Sequence, residues 1–425
     1  MSDVQRTIEI MAPAGSFEAL RAAIKAGAGS VYFGVGKLNM RAHSANFVLK
    51  DLPEIAKICK EHNIKSYLTV NTVVYENEID DMKALVDAAK EHNLTAIIAS
   101  DISVISYAHS VGVEVHISTQ ANISNSAAVK FYAQYADVVV LAREVNLLQI
   151  KKIYETIQKE QIKGPSGKLV EIEIFVHGAL CVAVSGKCYM SLATYNSSAN
   201  RGACLQNCRR SYKVIDEETG DQLKIDNNFV MSPSDLCTIG QVDKMIAAGV
   251  SIMKIEGRGK GPEYVYETTK AYKEAVEAVH NNTYSQELID TLRKRLENVF
   301  NRGFWEGGHY LGKKTNEWAG VYGSKTKQVK RHVGTVMNYY GKPSVAHIYI
   351  NENTLTIGDE VIITGPTTGF IKMKLETMYI NEEPAGTDMG SLNHAKKGDH
   401  VTFVVPEKVR KNDQVFIMVE TKAKQ

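Results

Sequence analysis

A strand signal that returns at nearly regular intervals constrains this chain more than any other feature. Short apolar, β-rich runs occur at Ile8–Ala12, Ser30–Gly34, Ser66–Asn71, Ala96–Ser100, Val113–Ser118, Val138–Arg143 and Ile172–Val176, seven in all before a group of cysteines. Between them lie segments whose apolar residues are spaced by three and four, at Ser16–Ala26, Leu52–Glu61, Glu78–Glu91 and Ala127–Tyr135. Strands that alternate with helices pair in parallel, because a parallel neighbour is reached only by a crossover long enough to hold a helix. Ile252–Glu256 adds a strand and Tyr264–His280 a helix, with a weaker strand signal at Asn228–Ser232. The count predicts an eight-stranded parallel (β/α)8 barrel of the TIM type; a doubly wound sheet is the other arrangement the pattern allows.

After about Ser324 the texture changes. Lys325, Lys327, Lys330, Arg331 and His332 form a basic run, and alternating strand patterns follow at Val333–Met337, Ser344–Ile350, Asp359–Pro366, Ile371–Tyr379, His400–Val405 and Gln414–Val419. Gly, Asn and Asp turns separate them, which reads as a small antiparallel β-barrel. The 425 residues, 44% of them hydrophobic, exceed what one core of about 250 to 300 residues needs. The predicted domains are therefore 1–323, carrying a cysteine insertion at 178–210, and 324–425. Thr356–Val361 is similar to the second-domain barrel of translation GTPases, which implies contact with RNA.

Composition narrows the functional classes. Lys and Arg total 50 against 48 Asp and Glu, so net charge argues for neither a nucleic-acid nor a membrane partner. Met1–Gln5 lacks a signal-peptide pattern, and no run approaches the roughly 18 apolar residues of a membrane span. A cytoplasmic protein with no membrane partner is expected, and there clustered cysteines are metal ligands or catalytic groups more often than disulfides.

Polar residues that follow strands gather at the C-terminal mouth of a barrel, where barrel chemistry occurs. Here they are Arg41, Asn71, Gln120, Asn122, Arg143, Glu144, Glu256 and Arg258. Each alone reads equally well as a salt bridge or loop cap; as a set ending successive strands they suggest a pocket. We take Arg41, Asn71, Gln120, Arg143, Glu256 and Arg258 as the catalytic candidates. Several arginines facing one pocket suit a small dicarboxylate, since guanidinium pairs with carboxylate bidentately. Gly257, Gly259 and Gly261 offer an anion-binding nest, although the dinucleotide spacing is absent and a plain loop explains them.

Five of the six cysteines fall between 181 and 237, and Cys59 stands apart on an apolar helix face as a buried thiol. Cys181, Cys188, Cys204 and Cys208 have the spacing C-x6-C-x15-C-x3-C among small residues that let the backbone wrap a bulky group. Only Cys204–Cys208 has the close spacing of a zinc pair, so the pattern leans to an iron–sulfur cluster, with zinc and inert buried thiols as the alternatives. Cys237 is a fifth thiol able to stand in for one of the four. His177, four residues before Cys181, leaves a nucleophilic cysteine open as well.

Glu173–Cys181 followed by Gly186–Ser191 resembles the signature of the collagenase-like peptidase family U32, without a departure. Ala12–Gly15, Gln120–Asn122, Ala142–Glu144, Ser232–Leu236 and Lys254–Arg258 also resemble that family's blocks, so the resemblance covers nearly the whole chain. Yet neither a His-Glu-x-x-His zinc motif nor a Gly-x-Ser-x-Gly elbow is present to support proteolysis. The cysteine pattern is most similar to the family's bacterial tRNA hydroxylation branch. That branch implies prephenate-dependent 5-hydroxylation of the wobble uridine of tRNA and a 4Fe-4S cluster on Cys181, Cys188, Cys204 and Cys208. Two other branches imply peptide cleavage by a metal-dependent enzyme, or oxygen-independent ring hydroxylation in quinone synthesis. A non-catalytic RNA-binding module and a homodimer are both compatible with the sequence. On the tRNA reading, Tyr189, Tyr195 and Tyr212 are candidates to stack on a splayed base and Arg209, Arg210 and Lys213 to meet phosphates; ordinary packing is the commoner role for such tyrosines, and a solvated face is the alternative for the cations.

Overall fold

The computed structural model describes residues 6–44, 46–223, 229, 231–312, 318–321, 323–385 and 393–421. Eight parallel strands, β1 (Glu9–Pro13), β2 (Ser30–Gly34), β3 (Lys65–Val70), β4 (Ala96–Ala99), β5 (Val115–Ile117), β6 (Val138–Val140), β7 (Glu171–Gly178) and β8 (Ile252–Ile255), pair in chain order. β8 bonds to β7 on one side, with Ile252 opposite Glu173, and to β1 on the other, with Ile252 opposite Glu9. That double pairing closes the barrel and excludes the doubly wound sheet. Part of the weaker strand signal at Asn228–Ser232 lies outside the described residues.

Strand alternation sorts the side chains into two cores. Ile10, Phe33, Leu68, Ile97 and Val139 point outward to the helices. Met11, Tyr32, Tyr67, Ile98, Val138 and Ile252 form a separate cluster inside the barrel. The surrounding helices are α1 (Phe17–Lys25), α2 (Leu52–Glu61), α3 (Ile79–Glu91), α4 (Ile102–Ser110), α5 (Ser126–Tyr132), α6 (Leu147–Glu160), α7 (Val242–Ala247) and α8 (Pro262–His280). Local chemistry sets their ends: Ser16 caps α1 by accepting from the Ala19 amide, Asn146 forms a capping box with Gln149 on α6, and Pro262 opens α8. Cys59 is buried on α2, where the sequence places a structural thiol.

Between β7 and α7 the chain makes a long excursion over the C-terminal end of the barrel. Gly178 starts it at φ +102°, where an added Cβ would stand 2.4 Å from the Glu256 carbonyl oxygen. Asp235–Cys237 returns antiparallel to the end of β7, with Leu236 opposite Gly178. Three contacts seat the excursion. Arg201 forms a two-pronged ion pair with Glu78, donates to the Val73 carbonyl at 2.7 Å and lies 4.1 Å over the Tyr75 ring. Arg209 is buried and donates to the Leu180 carbonyl at 2.7 Å, to Ser232 at 3.0 Å and to the Pro233 carbonyl. At Gly202 the backbone comes so close to Asn39 that a Cβ would meet its carbonyl oxygen at 2.1 Å.

The C-terminal part is antiparallel, as its alternation predicts. β9 (Gln328–Tyr340), β10 (Val345–Ile350), β11 (Glu360–Gly365), β12 (Gly369–Lys374), β13 (His400–Val404) and β14 (Gln414–Glu420) lie in one sheet whose inward residues, among them Val336, Ile348, Ile363, Phe403 and Val415, share a single core. The basic run is partly strand: β9 starts at Gln328, Lys330 pairs with Glu263 of α8 at 3.0 Å and Lys327 pairs with Glu297. Lys330 fastens the sheet to α8, as the contact of Ile362 and Phe370 with Ala22 fastens it to α1.

The close approach at Gly178 predicts that Gly178→Ala lowers the unfolding free energy by about 2 to 3 kcal/mol, as strain and clash add. Gly167→Ala, at φ +77° with open space around it, costs about 1 kcal/mol by strain alone. Urea unfolding of both variants checks this; equal losses would count against the close-approach argument.

Candidate active site

The barrel mouth and the underside of the excursion enclose a cavity of about 270 Å³. Arg41 follows β2, Asn71 follows β3, Gln120 follows β5, Arg143 follows β6, and Glu256 and Arg258 follow β8. All six line this cavity, together with Cys181, Cys188, Cys204 and Cys208 from the excursion. The geometry therefore brings both halves of the predicted site into one space. Asn122 and Glu144 are not among its lining residues; Asn122 takes a left-handed conformation that ends a 3-10 turn. Sequence reading missed Tyr32, Lys254, Lys260 and Arg302, which also line it. Two of them were legible, since Tyr32 lies in a predicted strand and Lys254 two residues before Glu256, but inside a strand they read as core.

Charge at the floor is organised by Glu256. Arg41 donates to one of its oxygens from both Nε, at 3.2 Å, and Nη2, at 2.6 Å. Burial alone would push this carboxyl up; the neighbouring Arg41, with help from Arg143 and Lys260, holds it below the ordinary glutamate range. Arg258 is buried and donates to Asn39 at 3.0 Å and to Thr69 at 2.7 Å, and burial lowers its pKa to about 10. Arg143 lies 4.1 Å over the Phe175 ring and donates to the Ala179 carbonyl at 3.0 Å. Its buried Nε has no hydrogen-bond partner among the described residues. Burial, reinforced by Arg302, brings Lys260 down to about 8. Asn71 accepts from the Met40 amide at 3.2 Å and donates to Ser118 and Gln120 at 3.3 and 3.4 Å. One carboxylate thus shares the cavity lining with seven cations, Arg41, Arg143, Arg209, Lys254, Arg258, Lys260 and Arg302, an arrangement complementary to a small polyanion.

The thiols form the opposite wall. All six cysteines are free; Cys181 is exposed, and Cys188, Cys204 and Cys208 are half-buried. Burial raises the Cys208 thiol, and Cys181, Cys204 and Cys188 each push it further in the same direction, so the four share one neighbourhood. As placed, no three His, Cys, Asp or Glu side chains among the described residues stand close enough to share a metal ion. Cys237 lies elsewhere: it is buried in the core between barrel and helices, where burial raises its thiol to about 11.

His177 is also outside the cavity. Its ring is 1% exposed and packs against Tyr264, Tyr272 and Phe304 at 5.5 to 5.9 Å. Burial lowers its pKa to about 3, so it stays neutral and enclosed instead of activating Cys181. Tyr189 and Tyr195 are exposed, with Arg210 5.1 Å over the Tyr195 ring, while Tyr212 donates to the Asn207 carbonyl at 2.8 Å. Arg210 and Lys213 are exposed, whereas Arg209 is committed to the carbonyls that seat the excursion and is not available to phosphates. Gly257 lies 2.4 Å, by its absent Cβ, from the Tyr264 ring, so the glycine loop is needed for packing against α8.

The neutral state of His177 fixes a pH dependence. Its folded pKa lies below the ordinary imidazole value of 6.5, so below 6.5 the unfolded chain binds the extra proton and stability falls as pH falls towards about 3. The loss attributable to this residue reaches about 2 kcal/mol at about pH 5. His177→Gln removes the titration, and its unfolding free energy should fall less between neutral pH and about 5 than that of the native protein. Parallel slopes in urea melts at the two pH values would reject the assignment.

Comparison with known proteins agrees with this architecture. Residues 15–320 match the model of Peptidase family U32. The chain is 52% identical over 409 residues to a protein named collagenase from Porphyromonas gingivalis, covering 96% of this chain and 97% of that one. It is 30% identical over 397 residues to tRNA hydroxylation protein P1 of Bacillus subtilis, covering 91% and 89%. It is 33% identical over 273 residues to the 23S rRNA 5-hydroxycytidine C2501 synthase of Escherichia coli, covering 64% of this chain and 40% of that one. The match over most of the barrel, with the full-length likeness to its relatives, makes this chain a member of Peptidase family U32.

Proposed function

We propose that this protein is an enzyme that hydroxylates a pyrimidine base of RNA, specifically carbon 5 of the wobble uridine of tRNA, with prephenate as co-substrate. The observation that carries the reading is the single cavity in which four free thiols face a cation-rich floor. A peptide bond calls for neither, whereas a dicarboxylate and a redox group call for both. The names of two relatives, a tRNA hydroxylation protein and an rRNA hydroxycytidine synthase, support the same class of reaction.

Cys181, Cys188, Cys204 and Cys208 would hold a 4Fe-4S cluster. The donor set fits in kind, four free thiols around one cavity. Sharing one cluster requires the excursion to tighten from the spacing described above. When bound, the cluster would supply electron-transfer chemistry. Arg41, Arg143 and Arg258 bind and orient the dicarboxylate, and Glu256 holds Arg41 in place. Exposed Tyr189 and Tyr195, with Arg210, lie on the same excursion and offer stacking surface and charge for the anticodon loop. These steps belong in the cytoplasm, where tRNA and reduced thiols coexist.

Peptide hydrolysis is the second reading, favoured by the name of the relative at 52% identity. The enclosure of His177 deprives it of a Cys181–His177 nucleophile.

A strain lacking the gene, grown without oxygen, should lose 5-hydroxyuridine derivatives from its tRNA. The intact gene should restore them; Cys188→Ala and Arg143→Met should leave them at least about tenfold below the native level, as expected when a group used in the reaction is removed. Mass spectrometry of tRNA nucleosides reads the result, and iron and sulfide assays on anaerobically purified protein read the cluster. An unchanged nucleoside profile on deletion sinks the proposal, and one bound zinc with no sulfide sinks the cluster.

A further inference from the structure

The interior of a (β/α)8 barrel is ordinarily filled by apolar layers, and here charged side chains share it with the apolar cluster. Lys254 on β8 lines the cavity floor and donates to Glu173 of β7 at 2.7 Å. The other oxygen of Glu173 faces Nδ1 of His116 on β5 at 3.7 Å. His116 Nε2 lies 3.3 Å from Glu114, whose side chain is 40% exposed at the opposite end of the barrel. Glu173 is 0%, His116 1% and Lys254 4% exposed. Four titratable side chains therefore run in file from the cavity to solvent at the barrel's closed end. The one break in the file separates two buried atoms, His116 Nδ1 and Glu173 Oε2, that have no hydrogen-bond partner among the described residues. They face each other, and a ring shift of about half an ångström brings them within bonding range.

Burying an ion costs several kcal/mol unless it is paired, and a stable barrel needs no such file. We propose that Glu114, His116, Glu173 and Lys254 form a proton relay linking the floor of the cavity to solvent at the closed end of the barrel. The site then exchanges protons while RNA covers its mouth. Lys254 first delivers a proton to the acceptor in the cavity and is then reprotonated by Glu173, which draws the Nδ1 proton of the His116 imidazolium. The neutral ring, still protonated at Nε2, turns over to present its bare nitrogen to Glu114, which returns a proton from solvent, so every member regains its starting protonation. The reverse order removes a proton from the cavity. His116 faces Glu114 just before its own strand, Glu173 of β7 and the Tyr67 ring at 4.5 Å, and the Tyr67 hydroxyl is held by Glu9, itself paired with Lys65. Lys254 faces Glu173 and the Tyr32 ring, with Arg143 and Arg258 near enough to oppose its charge. Burial lowers the pKa of His116, but the two carboxylates around it outweigh that effect and raise it above the ordinary imidazole value.

The relay rests on the cavity being the active site, so its test has one arm that needs no substrate. In histidine-labelled protein, NMR titration of the His116 ring should show protonation above pH 6.5, the ordinary imidazole value. Glu173→Gln should lower that midpoint by about one unit, the size expected for loss of an adjacent charge. An unmoved His116 midpoint in a folded Glu173→Gln variant overturns the relay whatever the enzyme does. In the second arm, tRNA hydroxylation by the intact protein is compared with that of His116→Gln, which keeps hydrogen bonding and cannot carry the proton. We expect kcat to fall at least about tenfold with KM unchanged, and added imidazole to restore it. Full activity in His116→Gln overturns the relay, as does a loss that imidazole does not relieve. If the native protein hydroxylates no RNA while Glu173→Gln moves His116 as stated, the assigned reaction fails and the relay stands.

Discussion

Everything in this molecule depends on β8 finding two parallel partners. Ile252 lies opposite both Glu9 and Glu173 in its two ladders, and without that double pairing the sheet would remain open with an unprotected edge. Closure puts the ends of all eight strands in one ring, which turns residues more than 200 positions apart, such as Arg41 and Glu256, into an ion pair. It also makes one end of the ring available to be roofed by the excursion between β7 and α7.

The roof is fastened by groups whose burial makes them sensitive to change. Arg209 and Arg201 each satisfy backbone carbonyls that no other side chain reaches among the described contacts. Gly178 and Gly202 allow main-chain approaches that any Cβ would prevent. Stability and chemistry are therefore spent in the same place: the arginines that suit an anion on the floor and the arginine that seats the roof stand around one space, and only burial and partner choice separate their roles.

The collagenase name carried by a relative at 52% identity and the hydroxylase names carried by relatives at 30 and 33% describe different chemistries on one family. A shared fold does not decide between them, because function resides in the site built on it. What bears on the choice is the pairing of free thiols with a cationic floor and the withdrawal of His177 into an aromatic enclosure. Both concern side-chain environment, not family membership.

The alternation of strand and helix signals was enough to determine a parallel sheet covered by helices and an antiparallel C-terminal part, since hydrophobic period and crossover length are local properties; closure into the predicted barrel rests on the two ladders of β8. Strand-end position likewise identified Arg41, Asn71, Gln120, Arg143, Glu256 and Arg258, because a polar residue just past a strand of a barrel has little choice but the mouth. Tertiary structure alone decided which cysteines face the cavity: Cys237 lies two residues from buried Asp235 yet points into the core, a matter of strand register and not of spacing. It alone decided that Arg209 holds the roof, that Lys327 and Lys330 are spent on ion pairs, and that Lys254, Glu173 and His116 meet inside the barrel. Those facts follow from burial and from the partner each charge finds after closure, and a one-dimensional sequence carries neither.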